Sequence, residues 1–468
     1  MNQYKENSFH STLQFEKDFI SFINVNKRKL KEESLISYAF PVNTFDIISK
    51  LNSINEKYND FLFFKKAIGN FTFIAINRLI DFSYNRVDLL QLESFITITK
   101  SSVINNWSDY NLENIPFITG SAKFNSDKSS EEWDDFNPIH FFIPQLILLK
   151  NKKQTFLVYN SKLNCDFNEG KILDDFLESV FPLLDLKDEL DVVSQQFVNK
   201  IPSTGKDKID WKNLVENVIQ QLDSEFKKIV VSRRIDLKFE DKIDWNHCFL
   251  RLESEYSDCY LFMYKSNSSI FFGASPEKFI GIQNKTVEID ALAGSAPNNR
   301  SNIETELLNT KNIKEHQCVI NFIEDAIAEY ATKITSDKNP QIKELSNVHH
   351  LYTKIRAKLN SKTDTFRLLE SLYPTPAVCG LPKLKAMNAI NEIESFDRGL
   401  YSGLIGWFDL SLNCEFAVAI RSALYKNGKL YLYAGAGIVK ESDPEEEYSE
   451  TELKFKTILN LFYEQSTG

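Results

Sequence analysis

The feature that most constrains the fold is a series of short apolar runs with the composition of β-strands. Residues 259–264 and 270–274 are two such runs, and the polar segment 265–269 between them is typical of a hairpin turn. A helical period interrupts the series, because apolar residues recur at i, i+3, i+4 and i+7 across residues 211–222. Strands in meander order with inserted long helices predict a mixed α+β protein built on antiparallel sheets.

The same patterns predict further elements and a division of the chain. Strands are expected at residues 61–64, 71–75, 154–159, 229–231, 278–282, 286–292, 416–420 and 429–433, and helices at residues 302–333 and from Pro444 onward. The segment 199–208 is polar and carries Pro and Gly, which is typical of a linker. We therefore expect an N-terminal half at 1–198 and a C-terminal half at 209–468, packed together as one compact unit.

Composition narrows the class of protein. The 468 residues are 43% apolar, and their net charge of −10 disfavours nucleic acid and anionic membranes as partners. The apolar run 140–149 is too short to cross a bilayer, and no signal peptide is visible at the N-terminus. Six scattered cysteines without a CxxC pair argue against zinc and disulfide frameworks. A soluble, cytoplasmic protein that uses small molecules or proteins as partners is expected.

The C-terminal helix carries an unusual set of charges. Ser442 and Glu445 form a capping-box pattern around a Pro at the first helical position. Glu447, Glu450 and Lys454 follow at i, i+3 and i+7, so they share one face. By itself this pattern is typical of a solvated acidic face.

Two other features favour a binding site near that helix. Gly435 and Gly437 precede it, and glycines at such a position let the backbone approach a ligand closely. Glu315 lies on the apolar stripe of the helix predicted at 302–333, where an unpaired carboxylate is costly. Its neighbour His316 is more typical of a structural residue than of a ligand. Carboxylates on two helices would suit Mg²⁺, although Glu315 could instead reach solvent.

Three charged residues stand at the ends of predicted strands. Lys228 and Glu277 are of the types that serve as general base and general acid, and Arg421 could pair with a carboxylate through its planar fork. Taken singly, each is more typical of an ordinary charge at the end of a strand.

Nine motifs in one order resemble those of the chorismate-utilising enzymes. That family includes isochorismate synthase, salicylate synthase, and component I of anthranilate synthase and of aminodeoxychorismate synthase. The resemblance covers about residues 205–465, and its motifs are residues 228–233, 273–277, 291–295, 314–316, 373–377, 398–403, 419–421, 434–437 and 450–451. It implies the chorismate-binding-enzyme fold, of α+β class, with antiparallel sheets packed together and flanked by helices.

Within the family the chain resembles the isochorismate synthases of the menaquinone or siderophore type. Lys228 matches the lysine that activates water there, and Ala293 stands where some aminodeoxychorismate synthases have a nucleophilic lysine. Ser295 replaces a common Thr, Leu404 replaces a common Pro, and Cys379 replaces a smaller residue. Salicylate synthase, component I of the two amine-forming synthases, and a non-catalytic chorismate-binding or amidotransferase-docking subunit remain as alternatives.

The resemblance implies a reaction and a partner set. Chorismate gains a hydroxyl at C2 from water while its C4 hydroxyl leaves, with Lys228 as general base and Glu277 as general acid. The enzyme is expected to need no glutamine amidotransferase and to be a monomer or a weak homo-oligomer.

The resemblance also assigns binding residues. Glu315 and Glu450 would hold Mg²⁺ with help from Glu447. The residues implied in substrate binding are Arg421 and Lys454 at the enolpyruvyl carboxylate, with Gly435 beside them, and Gly294 and Ser295 near the ring.

Overall fold

The structure is a computed structural model that describes residues 2–43, 45–100, 103–152, 154–186, 199–200, 205–222, 224–238, 242–298, 303–346 and 348–462. The first half contains helices α1 (Asn2–Asn26), α2 (Leu51–Lys57), α3 (Leu92–Lys100) and α4 (Glu169–Leu184). Its strands are β1 (Ser34–Val42), β2 (Asp60–Lys65), β3 (Phe71–Tyr84), β4 (Val103–Asn105), β5 (Ile118–Ala122), β6 (Ile139–Asn151), β7 (Gln154–Leu163) and β8 (Asn199–Lys200).

The second half follows the same mixed pattern. Its helices are α5 (Gly205–Gln221), α6 (Trp245–Glu255), α7 (Ile303–Leu307), α8 (Thr310–Ala328), α9 (Thr365–Leu372), α10 (Lys383–Ile393) and α11 (Pro444–Leu459). Its strands are β9 (Lys228–Lys238), β10 (Tyr260–Ser266), β11 (Ser269–Ser275), β12 (Lys278–Gln283), β13 (Thr286–Pro297), β14 (Ala331–Ser336), β15 (Gln341–Glu344), β16 (Val348–Leu359), β17 (Gly380–Leu381), β18 (Leu404–Phe408), β19 (Cys414–Val418), β20 (Ser422–Lys426) and β21 (Lys429–Ile438).

The strands form a hydrogen-bonded network that forks at β6 and joins both halves of the chain. One arm runs β6–β3–β2–β10–β11–β20–β21–β9, and the other runs β6–β5–β18–β19–β12–β13–β16. These pairings are antiparallel, whereas β1 and β4 pair in parallel. Strands of the first half pair directly with strands of the second at β2–β10 and β5–β18.

Alternation along the strands produces two large cores on opposite faces of the first arm. Leu62 and Phe64 of β2 point into one core, while Phe61 and Phe63 point into the other. Because both faces are covered, the strand is apolar throughout and reads as a continuous run rather than an alternating one. The first core lies between the two arms of the network, and the second is closed by residues of α4 and α6.

A smaller core fixes the helices around β9 and β21. Trp211 and Val215 of α5 pack there with Ile229 of β9, Ile390 of α10 and Ile438 of β21. Strand β21 and helix α5 pack next to α11, which contributes the charged face described below.

The local predictions are mostly confirmed, and their errors have physical causes. The hairpin of β10 and β11 and the helix from Pro444 are present. The single helix predicted at 302–333 is wrong: α7 ends at Leu307, Asn309 caps a new helix α8, and Ala331 begins strand β14, which pairs with β16. A side chain that caps a helix and a distant pairing strand override the helical period.

Two further details depart from expectation. Asp443, not Ser442, caps α11, since its Oδ1 accepts the N–H groups of Glu445 and Glu446. The predicted linker 199–208 contains strand β8 and the first turn of α5, while residues 201–204 lie outside the described residues. Within the part of the chain that is described, no helix is both long and apolar enough to cross a membrane.

Candidate active site

A cavity lies where the ends of the two arms meet beneath α8 and α11. β13 and β16 of one arm and β9 and β21 of the other arm contribute to its wall. The lining residues are Val230, Glu277, Leu292, Ala293, Gly294, Ser295, Glu315, His350, Ala377, Val378, Tyr401, Ser402, Ile420, Arg421, Tyr433, Ala434, Gly435, Gly437, Glu450 and Lys454.

Glu277 lies in the two-residue connection between β11 and β12, and its side chain is buried in the cavity wall. Burial is the main reason that its pKa rises to about 8, and the negative charge of Asp290 adds to the effect. The positive charges of Lys228, Lys343 and Lys454 oppose the rise. At neutral pH the side chain is therefore a carboxylic acid that can donate a proton into the cavity.

Lys228 begins β9 and is buried against Glu315 of α8. Its Nζ lies 2.8 Å from Glu315 Oε1. A Cβ at Gly437 would lie 2.4 Å from that carboxylate oxygen and 2.9 Å from Lys228 Cε, so only glycine leaves room for the pair. Glu315 thus reaches the cavity rather than solvent, and Gly437 accommodates an ion pair of the protein itself.

The exposed-face interpretation of α11 is wrong for Glu450. Its Oε1 lies 2.5 Å from Lys454 Nζ and accepts a hydrogen bond of 2.9 Å from the Ser295 hydroxyl. Burial raises the pKa of this carboxyl, but Lys454, Lys311 and the Ser295 hydroxyl outweigh burial and lower it to about 2. Lys454 also donates to the carbonyl oxygen of Gly435 at 2.7 Å. Glu450 is therefore ionised and held in place at the cavity.

Glu447 lies one helical turn before Glu450 and is also buried. Its Oε1 lies 2.5 Å from Nζ of Lys311 on α8. Burial and the charge of Glu450 raise the pKa of Glu447 to about 7, although Lys311 acts against them. Sequence reasoning missed Lys311, which lies one turn before Glu315 and whose charge acts on all three carboxylates.

The chemistry of these carboxylates fits Mg²⁺, but their contacts in this structure are with lysines. Glu315, Glu447 and Glu450 supply hard oxygen donors, and the repulsion between Glu447 and Glu450 would be relieved by a cation. Each of the three is paired with a different lysine instead. Among the described residues, no three acidic, His or Cys side chains already lie close enough together to hold one ion. Ligation would therefore require side chains to turn away from their lysines.

Arg421 faces the cavity from a strained backbone position. Its φ is +52°, in the left-handed region that non-glycine residues seldom adopt and that often marks functional sites. Its Nη2 donates to Nε2 of His350 at 2.8 Å. Because arginine can only donate, Nε2 is the acceptor and Nδ1 carries the proton, 3.0 Å from the Ser295 hydroxyl. Burial and the charges of Arg421 and Lys454 hold the pKa of His350 well below its usual range.

His350 therefore connects the two charged parts of the site. A chain of hydrogen bonds runs from Arg421 through His350 and the Ser295 hydroxyl to Glu450. Sequence reasoning missed His350, since it lies in a strand that was not predicted. His316, by contrast, bonds Thr353 and is absent from the residues that line the cavity, in agreement with its structural interpretation.

A buried ion pair supports the wall behind the cavity. Arg398 donates to both carboxylate oxygens of Glu394 and also to the carbonyl oxygens of Val230 and Val378, two lining residues. Glu394 in turn accepts the backbone N–H of Ser232 on β9. The pair is fully enclosed and joins three segments of the wall.

All ten predicted site residues are found at or beside this cavity. Eight of them line it, namely Glu277, Gly294, Ser295, Glu315, Arg421, Gly435, Glu450 and Lys454. Lys228 lies behind Glu315, and Glu447 lies on the other side of Glu450, in a neighbouring cleft that shares Ser295 and Glu450 with the cavity.

Comparison with known proteins identifies the family. A family model described as chorismate binding enzyme matches residues 20–463. The chain belongs to the chorismate-binding enzymes. Isochorismate synthase MenF of Bacillus subtilis is 29% identical over 454 residues, which cover 92% of this chain and 94% of that protein. Isochorismate synthase MenF of Haemophilus influenzae is 30% identical over 69% of this chain and 75% of its own length.

A solved structure agrees with the fold of this chorismate-binding enzyme. MenF, the menaquinone-specific isochorismate synthase from Escherichia coli, superposes with a TM-score of 0.74 at 24% identity. The match covers 93% of this chain and 96% of that one. At this identity the similarity concerns the fold, and it confirms the predicted α+β chorismate-binding-enzyme class.

Proposed function

We propose that this protein is an isochorismate synthase in which Glu277 protonates the leaving hydroxyl of chorismate. The observation that carries the proposal is a buried carboxyl with a pKa of about 8 in a cavity that also holds two cationic side chains. Chorismate carries two carboxylates, and Arg421 and Lys454 offer positive charge for binding the enolpyruvyl one. The names of the two relatives described above, both isochorismate synthases, support the same reaction.

In the proposed reaction, one water molecule enters and one leaves. Lys228 must first release to solvent the proton that it carries in the ion pair with Glu315. The water oxygen then bonds to C2, its proton passes to the neutral Nζ of Lys228, and the ring double bonds shift. The C4–O bond breaks, and the proton of Glu277 goes to the departing oxygen. Lys228 and Glu277 are close enough for the charge of Lys228 to act on Glu277. General acid and base steps of this kind each contribute about 10²–10⁴-fold in typical enzymes.

Mg²⁺ is proposed as the cofactor, held by Glu315 and Glu450 with Glu447 beside them. When bound, it supplies positive charge for a substrate carboxylate. The donor chemistry and the repulsion between Glu447 and Glu450 support this assignment. The other site residues act on the substrate without the metal. Arg421 and Lys454 bind a carboxylate, and Gly294, Ser295 and Gly435 shape the wall near the ring.

The reaction is tested by incubating the pure protein with chorismate and Mg²⁺ in ¹⁸O-labelled water, without glutamine or ammonia. Isochorismate that contains the label is expected. Lys228→Gln is expected to lose turnover, because an amide cannot accept the proton, while chorismate still binds in an equilibrium assay. Salicylate and pyruvate as the main products would move the assignment to salicylate synthase, and anthranilate formed on addition of ammonium would overturn it.

The metal is tested separately by calorimetric titration of Mg²⁺ into the substrate-free protein. Glu450→Ala is expected to lose both Mg²⁺ binding and Mg²⁺-dependent turnover. Glu446→Ala is the matched control, since Glu446 is an exposed carboxylate in the first turn of the same helix. Normal turnover by Glu450→Ala without added Mg²⁺ would refute the metal assignment.

We further propose that the enzyme works in the cytoplasm, without a glutamine amidotransferase, in menaquinone or siderophore biosynthesis. Isochorismate synthase MenF of Bacillus subtilis, which covers 92% of this chain, supports the first pathway. A relative from Escherichia coli, isochorismate synthase EntC, is 33% identical over 50% of this chain. Restoration of growth in a strain that lacks its menaquinone-specific isochorismate synthase would separate the pathways.

A further inference from the structure

The backbone that carries Glu277 is held from several sides. The peptide between Glu277 and Lys278 donates its N–H to Asp290 Oδ2 at 3.2 Å. The carbonyl of the same peptide accepts the N–H of Val418 at 3.1 Å. One residue earlier, the carbonyl oxygen of Pro276 accepts a hydrogen bond from Lys343 Nζ. The side chain of Asp290 therefore anchors the peptide group between Glu277 and Lys278.

Asp290 is itself rigidly placed on β13. It is buried, and its Oδ1 accepts a hydrogen bond of 3.0 Å from the hydroxyl of Tyr352 on β16. The ammonium of Lys278 extends away from this contact to Glu288, where Nζ and Oε2 are 3.2 Å apart. Both oxygens of Asp290 are thus engaged by neutral donors, and its charge stays close to Glu277.

The charges around Glu277 come from four elements. Asp290 on β13 is the anionic neighbour that acts on it, while Lys228 on β9, Lys343 on β15 and Lys454 on α11 act in the opposite sense. Around Asp290 stand Lys278, Tyr352 and Tyr260. Burial raises the pKa of Glu277, and three nearby cations lower it. The negative charge of Asp290 acts in the same direction as burial and so helps to keep the carboxyl protonated.

We propose that Asp290 is a positioning residue for the general acid: it fixes the Glu277–Lys278 peptide and places a negative charge behind the Glu277 carboxyl. This inference rests on the proposed role of Glu277 as proton donor. Asp290 itself does not line the cavity, and it acts on the reaction only through Glu277.

The test is Asp290→Asn, which keeps an acceptor oxygen for the Lys278 N–H and removes the charge. The titration of Glu277 is followed by ¹³C NMR on substrate-free protein with labelled glutamate carboxyls, and Glu277→Gln identifies the resonance. Its midpoint is expected to fall by about one pH unit, the lower end of the effect of a close charge. The basic limb of the kcat/KM profile should move by the same amount, while kcat at pH 6 is retained.

Glu288→Gln is the matched control. Glu288 lies two residues before Asp290 on the same strand, and it also bonds Lys278, but through the ammonium rather than the backbone. This variant should leave the midpoint of Glu277 unchanged. Asp290→Ala, which removes the anchor as well as the charge, should lower kcat at pH 6, and Asp290→Asn should restore it.

An unchanged Glu277 midpoint in Asp290→Asn would overturn the inference, as would an equal shift in Glu288→Gln. Neither result depends on turnover. Failure of the proposed function has a different signature, because either the wild type would form no isochorismate or Glu277→Gln would retain isochorismate formation, whatever the midpoint in Asp290→Asn.

Discussion

The raised pKa of Glu277 predicts a pH dependence of stability that one substitution should remove. This carboxyl titrates near pH 8 in the folded protein against an ordinary value of 4.5, mainly because it is buried. The folded state therefore binds the proton more tightly than the unfolded state. The resulting stability is fully present below about pH 4.5 and is lost as the pH rises through 8.

The magnitude follows from the interval between the two pKa values. One pKa unit corresponds to about 1.4 kcal/mol, so the free energy of unfolding should fall by about 3 kcal/mol between pH 5 and pH 8 because of this group. Glu277→Gln has nearly the shape of the protonated acid but cannot ionise. At pH 5 the free energy of unfolding of the variant should lie within about 1 kcal/mol of the wild-type value. At pH 8 the difference in favour of the variant should be about 3 kcal/mol larger than at pH 5.

The assay is urea denaturation of both proteins at pH 5, 6, 7 and 8, followed by tryptophan fluorescence and by circular dichroism. Glu33→Gln removes an exposed carboxyl in a turn and serves as the control, for which the difference from wild type should not change with pH. A constant difference between Glu277→Gln and wild type across this range would refute the idea that burial holds the carboxyl protonated. The general-acid role would then lose its physical basis.

Two further predictions concern arginines in the site and its wall, with the exposed Arg367 as the control position for both. Arg421→Lys keeps the charge but loses the planar fork, so KM for chorismate should rise at least about tenfold while Arg367→Lys is silent in steady-state kinetics. An unchanged KM would remove Arg421 from substrate binding. Arg398→Met leaves Glu394 buried without its partner and should cost about 3–5 kcal/mol in urea denaturation, whereas Arg367→Met should cost less than about 1 kcal/mol. Equal losses for the two variants would mean that the buried pair does not stabilise the wall.

The sequence by itself determined the elements whose signals are local. The hairpin of β10 and β11 has apolar runs on both sides of a polar turn, and α11 has a Pro in its first turn, so both were predictable from neighbouring residues. The family resemblance and the charges on one face of α11 also specified ten residues that lie at or beside one cavity. The motifs of the family can be recognised in the sequence because each is a short segment with its own backbone and side-chain requirements.

Only the tertiary structure decided how those residues act on one another. The partners Lys311–Glu447 and Arg421–His350 are 136 and 71 residues apart, so no local pattern could pair them. The same holds for the protonation of Glu277, because it depends on burial by distant segments and on the charge of Asp290. Helical periodicity likewise could not place the end of α8, since the strand that follows α8 forms by pairing with β16. Periodicity reports which face of an element is buried, but electrostatics and strand pairing depend on what the rest of the chain places against that face.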